Sequence, residues 1–473
     1  TRCLSDWSSD VCSSDLALRY PAMSARRPAA RWQRLGLGLG GAGLAVALLL
    51  AQVETVWAVT LALAVLFVGV IAFRLAGAYG LLRQTAEERL ALRIPDHRLP
   101  VYSVLVPLYR EAHMLPSLVA ALQRLDYPAA KLDIKLILEA VDRRTIEAAY
   151  RLALPGNFEI VIVPDVAPRT KPKALNYALP LARGEYVVIY DAEDRPEPGQ
   201  LREALRVFAE GPPNLAAVQA RLNLYNASQN WLTRQFTVEY CALFDGLLPT
   251  LDRLALPIPL GGTSNHFRAS ALRWLMAWDA FNVTEDADLG VRLARAGYRC
   301  RVLRSTTYEE APARLMCWLK QRTRWLKGYV QTWLVHMRAP RELWRQLGPR
   351  GFLGFQITVG GTILSALVHP WFYLLASIEF GAGNLLARPE SMLGWPFWLI
   401  AWFDLSAGYL ASMALGLLAV RRRGYRSLLW QIPLMPLYWL LISAAAYRAL
   451  WQFATAPFEW EKTEHGLGRR PGG

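Results

Sequence analysis

The chain has 473 residues, of which 53% are hydrophobic, and it contains 18 tryptophans. Because the apolar residues are concentrated near both ends, the composition argues against a wholly soluble enzyme and predicts a membrane protein with a soluble middle. The net charge of +15 does not indicate nucleic acid as a partner. Much of the arginine flanks apolar segments, as it does on the cytoplasmic side of membrane proteins.

The first residues do not match the rest of the chain. Residues 1–16 are rich in Ser, Asp and Cys and resemble a translated sequencing-adapter remnant. Residues 1–22 are therefore predicted to be a non-native, disordered leader, and Met23 is the expected start.

Two apolar runs follow, at 35–51 and 56–73. Each is about as long as the roughly 17–25 residues that span a bilayer. Residues 52–55 are predicted to join them as the turn of a helical hairpin, and flanking arginines place both ends in the cytoplasm. The N-terminal membrane region is therefore residues 23–83, and residues 84–100 are predicted to be an amphipathic linker.

Alternating strand and helix patterns begin at residue 101. Strands are predicted at 101–107, 134–140, 158–164, 186–191 and 215–220, with helices at 111–125, 145–154 and 173–181. This alternation predicts an α/β domain with a doubly wound, mostly parallel sheet over residues 101–310. Beyond residue 220 the pattern loosens into helical segments, with a turn-rich loop at 260–265.

Apolar sequence returns after residue 351. Three segments are long enough to cross the bilayer: 352–380, 395–420 and 428–453. Pro433 and Pro436 interrupt the last of them. Residues 311–351 mix Trp and Leu with Arg and Lys, which predicts helices along the cytoplasmic interface. Residues 352–453 form the second membrane region, and residues 454–473 form a tail.

One β-favouring run leads directly into acidic residues. Residues 186–190 precede Asp191, Glu193 and Asp194. In open α/β sheets, ligands bind beyond the carboxyl ends of such strands. Neighbouring carboxylates repel one another unless a cation neutralises them, and their oxygens suit Mg²⁺ or Mn²⁺ shared with substrate phosphates. The alternative is an acidic turn that caps the next helix.

Five further clusters carry polar side chains. They are Glu-Ala-Val-Asp at 139–142, Arg-Thr-Lys-Pro-Lys-Ala-Leu-Asn at 169–176, Gly-Gly-Thr-Ser-Asn at 261–265, Thr-Glu-Asp at 284–286 and Gln-Arg-Thr-Arg-Trp at 321–325. Each has an ordinary alternative when it is taken alone. An Asp that closes a strand is often a turn former, lysines often form a solvated basic face, and Thr-Glu-Asp is a good helix start.

In this order and spacing, the clusters resemble the signature of family 2 glycosyltransferases, specifically the membrane-embedded, cellulose-synthase-like synthases with Q-x-x-R-W. The resemblance covers residues 101–329. It implies a GT-A fold inserted between membrane helices, a nucleotide-diphosphate sugar donor, a divalent cation and inversion at the anomeric carbon.

The resemblance also implies roles for the acidic residues. Asp191 falls at the D-x-D metal position, and either Glu193 or Asp194 completes the metal shell. Asp286, beside Glu285, is the implied general base, which must lie within hydrogen-bond reach of the attacking hydroxyl.

Binding roles follow for the other clusters. Asp142 falls at the nucleotide-contacting aspartate, although Val141 replaces the acid that usually precedes it. Lys173 is implied to lie near the phosphates at a helix N-terminus. Gly262 and Thr263 belong to a loop similar to the acceptor-side loop of these synthases.

The Q-x-x-R-W cluster is the most specific of these signals. Gln321 and Arg324 are three residues apart and share a helical face. Arginine can bind diphosphate oxygens bidentately, and the face of Trp325 suits stacking on a sugar ring. Residues 457–463 place two aromatic side chains among charges, which indicates an interfacial anchor.

Together these features predict an inverting, metal-dependent glycosyltransferase that polymerises and exports a β-linked exopolysaccharide from a UDP-hexose. It is expected in the bacterial inner membrane as a multi-pass protein with a cytoplasmic catalytic domain, with accessory export subunits among its candidate partners.

Three alternatives stay open. A glycolipid synthase would transfer one or a few sugars to a lipid acceptor. A non-catalytic sensor or assembly subunit with a degenerate glycosyltransferase fold is favoured only by Val141. An ion transporter would need ionisable groups inside spans, for which Asp404 and His369 are the candidates.

Overall fold

The computed structural model describes residues 16–83, 94–383, 392 and 394–461. The predicted leader up to residue 15, linker residues 84–93 and the tail from residue 462 lie outside the described residues. The end of the predicted leader is described, and Pro21–Met23 form a short 3₁₀ turn.

One eight-stranded sheet forms the centre of the soluble domain. In chain order its strands are β1 Tyr102–Leu108, β2 Leu132–Glu139, β3 Phe158–Val163, β4 Tyr186–Ile189, β5 Arg195–Pro196, β6 Leu215–Leu224, β7 Asn265–Arg268 and β8 Arg299–Glu309. They lie in the order β3-β2-β1-β4-β7-β6-β8-β5. The pairs β3–β2, β2–β1, β1–β4 and β6–β8 are parallel, whereas the short β7 and β5 run antiparallel to their neighbours. The predicted α/β fold with a mostly parallel sheet is confirmed.

Helices cover the sheet and extend beyond it. In chain order the principal helices are α1 Arg31–Leu50, α2 Gln52–Arg83, α3 Leu115–Gln123, α4 Arg143–Arg151, α5 Lys171–Ala178, α6 Gln200–Glu210, α7 Trp231–Cys241, α8 Leu248–Arg253, α9 Ala269–Trp274, α10 Glu285–Arg295, α11 Leu315–His336, α12 Pro340–Phe355, α13 Gly361–Gly381, α14 Gly394–Arg422 and α15 Met435–Thr455. The predicted helix at 111–125 is shorter than expected, since α3 begins only at Leu115.

Two strands correct the expectation that the chain becomes helical beyond residue 220. The four-residue β7 inserts between β4 and β6, pairing Phe267 with both Val187 and Ala217. β8 pairs with β6 along its length although it contains three arginines. Neither strand has an apolar run like that of β1 or β4. Both form strands nevertheless, because the neighbouring strands supply much of the favourable environment.

Among the residues that the structure describes, five helical segments are long and apolar enough to cross a membrane. They are Arg31–Leu50, Gln52–Arg83, Pro340–Gly381, Gly394–Arg422 and Arg426–Thr455. Each contains or overlaps one of the five runs that hydropathy predicts. The predicted turn at 52–55 is wrong, because only Ala51 separates α1 from α2. No Gly or Pro follows Ala51 closely enough to delay the second helix. Arg74, expected to follow a span, lies within α2.

The long apolar helices contact the sheet domain closely. Gly80 of α2 lies so close to the domain that an added Cβ would be 1.8 Å from Arg253 Nη2. Arg423, just beyond α14, donates to both carboxylate oxygens of Asp245 at 2.6 and 3.0 Å. The sheet domain therefore packs directly against the apolar helices.

The helix that carries Q-x-x-R-W is largely buried within the protein. Trp318, Thr323 and Lys327 of α11 are fully buried, and Trp318 Nε1 donates to Tyr438 Oη of α15 at 3.1 Å. On α12, which overlaps the predicted interfacial range 311–351, Trp344 is 50% exposed.

Candidate active site

Asp191 and Asp194 lie in a tight turn just after β4. One carboxylate oxygen of Asp194 accepts the backbone N–H of Asp191 at 2.8 Å and a short hydrogen bond from the Thr263 hydroxyl. Thr263 also donates to the Ile189 carbonyl at 3.2 Å. Asp194 and Thr263 therefore stabilise the loop that presents Asp191, and Thr263 lies beside the acids as well as in the predicted acceptor loop.

The acidic loop has an excess of buried negative charge. Burial raises the pKa of both Glu193 and Asp194 well above the usual range, and the charge of Asp191 raises both further. Glu309 on β8 faces the same region, and burial raises its pKa to about 7. Apolar surroundings penalise uncompensated carboxylates, so this cluster favours a cationic partner.

The oxygen-rich loop fits a divalent cation in its chemistry. Asp194 Oδ1 is buried and has no hydrogen-bond partner among the residues that the structure describes. Asp191 and Glu193 line the adjoining cavity, whereas Asp194 Oδ2 is used within the loop. Within the described ranges, no three His, Cys, Asp or Glu side chains are already arranged as a metal site. A cation would therefore need oxygens from the substrate as well, as Mg²⁺ commonly does.

The two lysines of the 169–176 cluster have different partners. Lys171 Nζ contacts Asp191 Oδ1 at 2.5 Å and the Gly262 carbonyl at 2.7 Å. Lys173 Nζ instead bonds Glu139 Oε2 at 3.1 Å and the Pro164 carbonyl at 2.9 Å, and its side chain is only 3% exposed. The structure thus brings Lys171 to the acids and places Lys173, the lysine predicted for the phosphates, in a buried ion pair.

Thr-Glu-Asp lies at the start of α10, facing the same loop. A Cβ added to Gly262 would be 3.3 Å from Asp286 Oδ2, and Asp286 Oδ1 accepts the Ala287 N–H at 2.7 Å. Burial raises the pKa of Asp286 to about 6, and burial together with the charge of Asp286 raises that of Glu285 to about 8. Two adjacent carboxyls with separated pKa values are suited to different roles at neutral pH.

A glycine on α11 sets the position of the Thr-Glu-Asp loop. A Cβ at Gly328 would lie 2.3 Å from Thr284 Oγ1, so only glycine permits this approach. The motif patterns gave no signal for Gly328, because its requirement arises from the packing of two segments distant in sequence.

The side chains of Q-x-x-R-W occupy one wall of the site. Arg324 stacks on the ring of Trp460 at 4.6 Å, and burial lowers its pKa although Glu285 and Asp286 oppose that effect. Gln321 is 7% exposed, and its Oε1 has no hydrogen-bond partner within the described part of the chain. Arg324 is therefore close to the acids, while Gln321 offers a buried acceptor.

Trp325 is held in place by other side chains. Its ring is nearly parallel to that of Tyr240, with centroids 6.4 Å apart, and Arg322 lies 4.6 Å from its ring centre. Arg322 is fixed in turn by Glu239, which accepts at 2.6 and 2.5 Å. The second residue of the motif thus orients the tryptophan and does not itself extend toward the acids.

Asp142 acts as a helix cap. Its Oδ1 accepts the Thr145 N–H at 3.3 Å at the start of α4, and its Oδ2 accepts a short hydrogen bond from the Arg110 N–H. Both carboxylate oxygens of Asp142 therefore accept from backbone N–H groups. This is the turn-forming role, the alternative to nucleotide contact. Val141 and Glu139 line the cavity beside it.

The segment after α15 folds back over the site. Gln331 donates to the Pro457 carbonyl at 2.9 Å, and Lys327 donates to the Glu459 carbonyl at 2.8 Å. These bonds place Trp460 on Arg324. The aromatic content of residues 457–463 was a usable signal, but its location could not be read from the sequence.

One cavity of about 1420 Å³ connects the acids to the apolar helices. On the sheet side it is lined by Lys171, Asp191, Glu193, Glu285, Asp286 and Trp325. Along the membrane helices it is lined by Thr60, Phe67 and Arg74 of α2, His369 of α13, Trp398 and Asp404 of α14 and Trp439 of α15. From Thr60 to Arg74 the helical rise is about 21 Å, a large part of the thickness of a bilayer core.

A family model described as "Glycosyl transferase family group 2" matches residues 186–458. The match covers more than half of the 473 residues. The chain belongs to this glycosyltransferase family. The prediction that it is an enzyme of this type is confirmed.

Its relatives in sequence include proteins with different products. Cellulose synthase 2 of Novacetimonas hansenii is 30% identical over 237 residues, covering 49% of this chain and 14% of that protein. A β-monoglucosyldiacylglycerol synthase of Trichormus variabilis is 25% identical over 261 residues, covering 53% of this chain and 54% of that protein. This chain therefore covers about half of the length of the glycolipid synthase and much less of the cellulose synthase.

A solved structure supports the fold. The mannosyltransferase PcManGT from Pyrobaculum calidifontis, in complex with GDP-Man and Mn²⁺, is similar with a TM-score of 0.52 and 20% identity. The similarity covers 84% of this chain and 98% of that one. It confirms the predicted GT-A fold.

Proposed function

We propose that this glycosyltransferase polymerises a β-linked exopolysaccharide from a nucleotide-diphosphate sugar and passes the product between its apolar helices. The observation that carries this proposal is the cavity that joins Asp191 and Asp286 to Trp398 and Trp439. A passage lined by hydroxyls and aromatic rings suits a chain of sugars, whose C–H faces stack on aromatic side chains.

The donor diphosphate is assigned to the side of the cavity where Lys171 and Arg324 lie. Their positive charges balance the oxygens of the leaving group. A divalent cation bound by Asp191 and Glu193, with further ligands from the diphosphate, would stabilise the same developing charge. We prefer Glu193 to Asp194 as the second ligand because Glu193 lines the cavity together with Asp191.

Asp286 is assigned as the general base. Burial raises the pKa of both carboxyls, and the charge of Asp286 raises that of Glu285 further. Asp286 lies against Gly262, and the charge of Lys171 favours its ionised form by lowering its pKa. The acceptor hydroxyl transfers its proton to Asp286, and its oxygen forms a bond to the anomeric carbon as the bond to the diphosphate oxygen breaks. Attack from the face opposite the diphosphate inverts the configuration.

Trp325 is assigned to the terminal sugar of the growing chain. Its ring is stacked against Tyr240 and lines the cavity between the acids and the membrane helices. An aromatic contact contributes on the order of 1 kcal/mol beyond buried area, which changes a residence time severalfold. A chain held in this way remains bound between additions.

A UDP-hexose is the expected donor, and the GDP-Man bound to the similar mannosyltransferase adds GDP-mannose to the candidates. The proposed location is the bacterial inner membrane, with the sheet domain in the cytoplasm and accessory export subunits as candidate partners. A lipid acceptor is the second candidate. It is favoured by the apolar helices that wall the cavity and by the similarity to a glycolipid synthase.

The test is to incubate the purified protein in detergent with Mn²⁺ and radiolabelled UDP- and GDP-sugars, and then to size the product. A polymer that lipid solvents do not extract is expected. Trp325→Ala should reduce the length of the polymer severalfold and change the rate of donor hydrolysis by a smaller factor. Trp325→Phe should retain most of the length. Trp344→Ala, a change on the exposed face of α12, is the matched control.

The opposite outcome is equally clear. If excess donor yields only a lipid with one or two sugars, and Trp325→Ala does not alter its size, the polymer assignment is wrong and the glycolipid candidate replaces it.

A further inference from the structure

The segment that precedes the first apolar helix is bound to the catalytic domain. The carbonyls of Pro21, Ala22 and Ser24 all accept from Arg338 Nη1, at 3.1, 2.9 and 2.9 Å. Ser24 and Ala25 are completely buried. A guanidinium that bonds several successive carbonyls holds this stretch of backbone in one conformation.

Asp279 is the partner of this segment in the catalytic domain. Ser24 Oγ donates to Asp279 Oδ1 at 2.9 Å, and the Ala25 N–H donates to Asp279 Oδ2 at 2.5 Å. Asp279 is 1% exposed, and burial raises its pKa to about 6. A buried carboxyl with two such bonds strongly couples segments 254 residues apart in sequence.

Asp279 also begins the loop that leads to the general base. Its Oδ1 accepts the Phe281 N–H at 3.1 Å, and its carbonyl accepts the Asn282 N–H at 3.2 Å. Asn282 Oδ1 then accepts the Thr284 N–H at 3.0 Å, and Gln331 accepts the Val283 N–H at 3.0 Å. An unbroken series of hydrogen bonds therefore connects Asp279 to the residue before Glu285 and Asp286.

The same loop touches two other parts of the site. Thr170, which precedes Lys171, donates to the Ala280 carbonyl at 2.9 Å. Phe281 lies between Arg26, 5.6 Å from its ring centre, and Phe458, whose ring centre is also 5.6 Å away. Phe458 belongs to the segment that carries Trp460. The N-terminal segment therefore contacts a loop that leads to Asp286, is bonded to the residue before Lys171 and packs against Phe458.

We propose that Asp279 is a positioning residue for the transfer reaction, and that Ser24 and Ala25 of the N-terminal segment complete it. By fixing the loop from Phe281 to Thr284, this contact sets the distance between Asp286 and the acceptor hydroxyl. The inference rests on the proposed role of Asp286 as general base. It gives residues 24–25, outside the region matched by the family model, a part in the active site.

The experiment compares transfer with donor hydrolysis in Asp279→Asn, Ser24→Ala and the double variant. Asparagine keeps the size of the side chain but has one acceptor oxygen, so it cannot accept from both the Ala25 N–H and the Phe281 N–H. Transfer to acceptor should fall about tenfold, because small displacements of a reacting group are costly. Hydrolysis by water, which needs less exact alignment, should fall less than threefold, and the KM for donor should be nearly unchanged.

Comparing the single variants with the double variant separates a positioning role of Asp279 from an ordinary loss of stability. Ser24→Ala should lower the ratio of transfer to hydrolysis in the same direction, and the double variant should be no worse than Asp279→Asn alone. Asp252→Asn is the matched control: Asp252 also accepts a backbone N–H, from Val302 at 3.2 Å, but does not contact the base loop. It should leave the ratio unchanged. If Asp279→Asn does not fold, Ser24→Ala alone decides the question through the same ratio.

Equal losses of transfer and hydrolysis, or additive effects of the two substitutions, would overturn the inference. Asp286→Asn distinguishes its failure from that of the proposed function. If Asp286→Asn retains transfer, the base assignment itself is wrong. If Asp286→Asn abolishes transfer while Asp279→Asn and Ser24→Ala keep the wild-type ratio, only the positioning role is wrong.

Discussion

Replacing Lys171 by Gln tests which lysine meets the donor diphosphate. Lys171 Nζ lies 2.5 Å from Asp191 and 2.7 Å from the Gly262 carbonyl, beside the base and the acidic loop. Burial lowers its pKa, but Asp191 and Glu285 outweigh that effect and raise it, so the side chain is charged at every working pH. Lys171→Gln removes this charge and keeps a polar side chain.

The expected loss follows from the type of bond. A hydrogen bond from a charged donor contributes about 1.5–3 kcal/mol, so kcat/KM should fall roughly ten- to a hundredfold. Lys173→Gln is the matched control, because it removes the same charge two residues away. Since Lys173 is 3% exposed and paired with Glu139, breaking that buried pair should cost about 3 kcal/mol of unfolding free energy.

The two variants should therefore differ in kind. Release of nucleoside diphosphate measures catalysis, and thermal unfolding in the same detergent measures stability. Lys171→Gln should lose catalysis with a small change in unfolding temperature, and Lys173→Gln should unfold at lower temperature. If Lys171→Gln keeps kcat/KM within threefold while a normally stable Lys173→Gln loses catalysis, the reasoning is refuted and Lys173 is the diphosphate ligand.

Two further predictions concern the metal and the base. Chelation of divalent cations, or Asp191→Asn, should reduce transfer by more than a hundredfold with the fold intact, because the charge of the diphosphate is left uncompensated. Full activity in excess chelator, measured by product release, would contradict the metal assignment. The pH–rate profile should lose activity as pH falls through about 6, since Asp286 must be deprotonated and burial raises its pKa. Arg324→Gln should move that limb to higher pH, because Arg324 and Lys171 lower the pKa of Asp286; a limb in the usual aspartate range would show that another group is the base.

The fold was largely predictable where local patterns are strong. The apolar runs at β1, β2 and β4 and the five apolar helices have signals that depend only on neighbouring residues. The short β7 was not predictable, because four residues between two partner strands have no periodicity of their own. The burial of Lys327 on α11 was not predictable either, because it depends on bonds to the Ala456 and Glu459 carbonyls, which are distant in sequence.

The sequence by itself determined the types of residue that the chemistry needs: the acids after β4, Thr-Glu-Asp, and Q-x-x-R-W in that order along the chain. Tertiary structure alone decided which of them meet. It placed Lys171 at Asp191, Gly262 beside Asp286, and Trp460 on Arg324. A motif specifies chemistry through side chains a few residues apart, whereas a site is assembled by packing between segments that are tens to hundreds of residues apart, and spacing in sequence carries no measure of their distance in space.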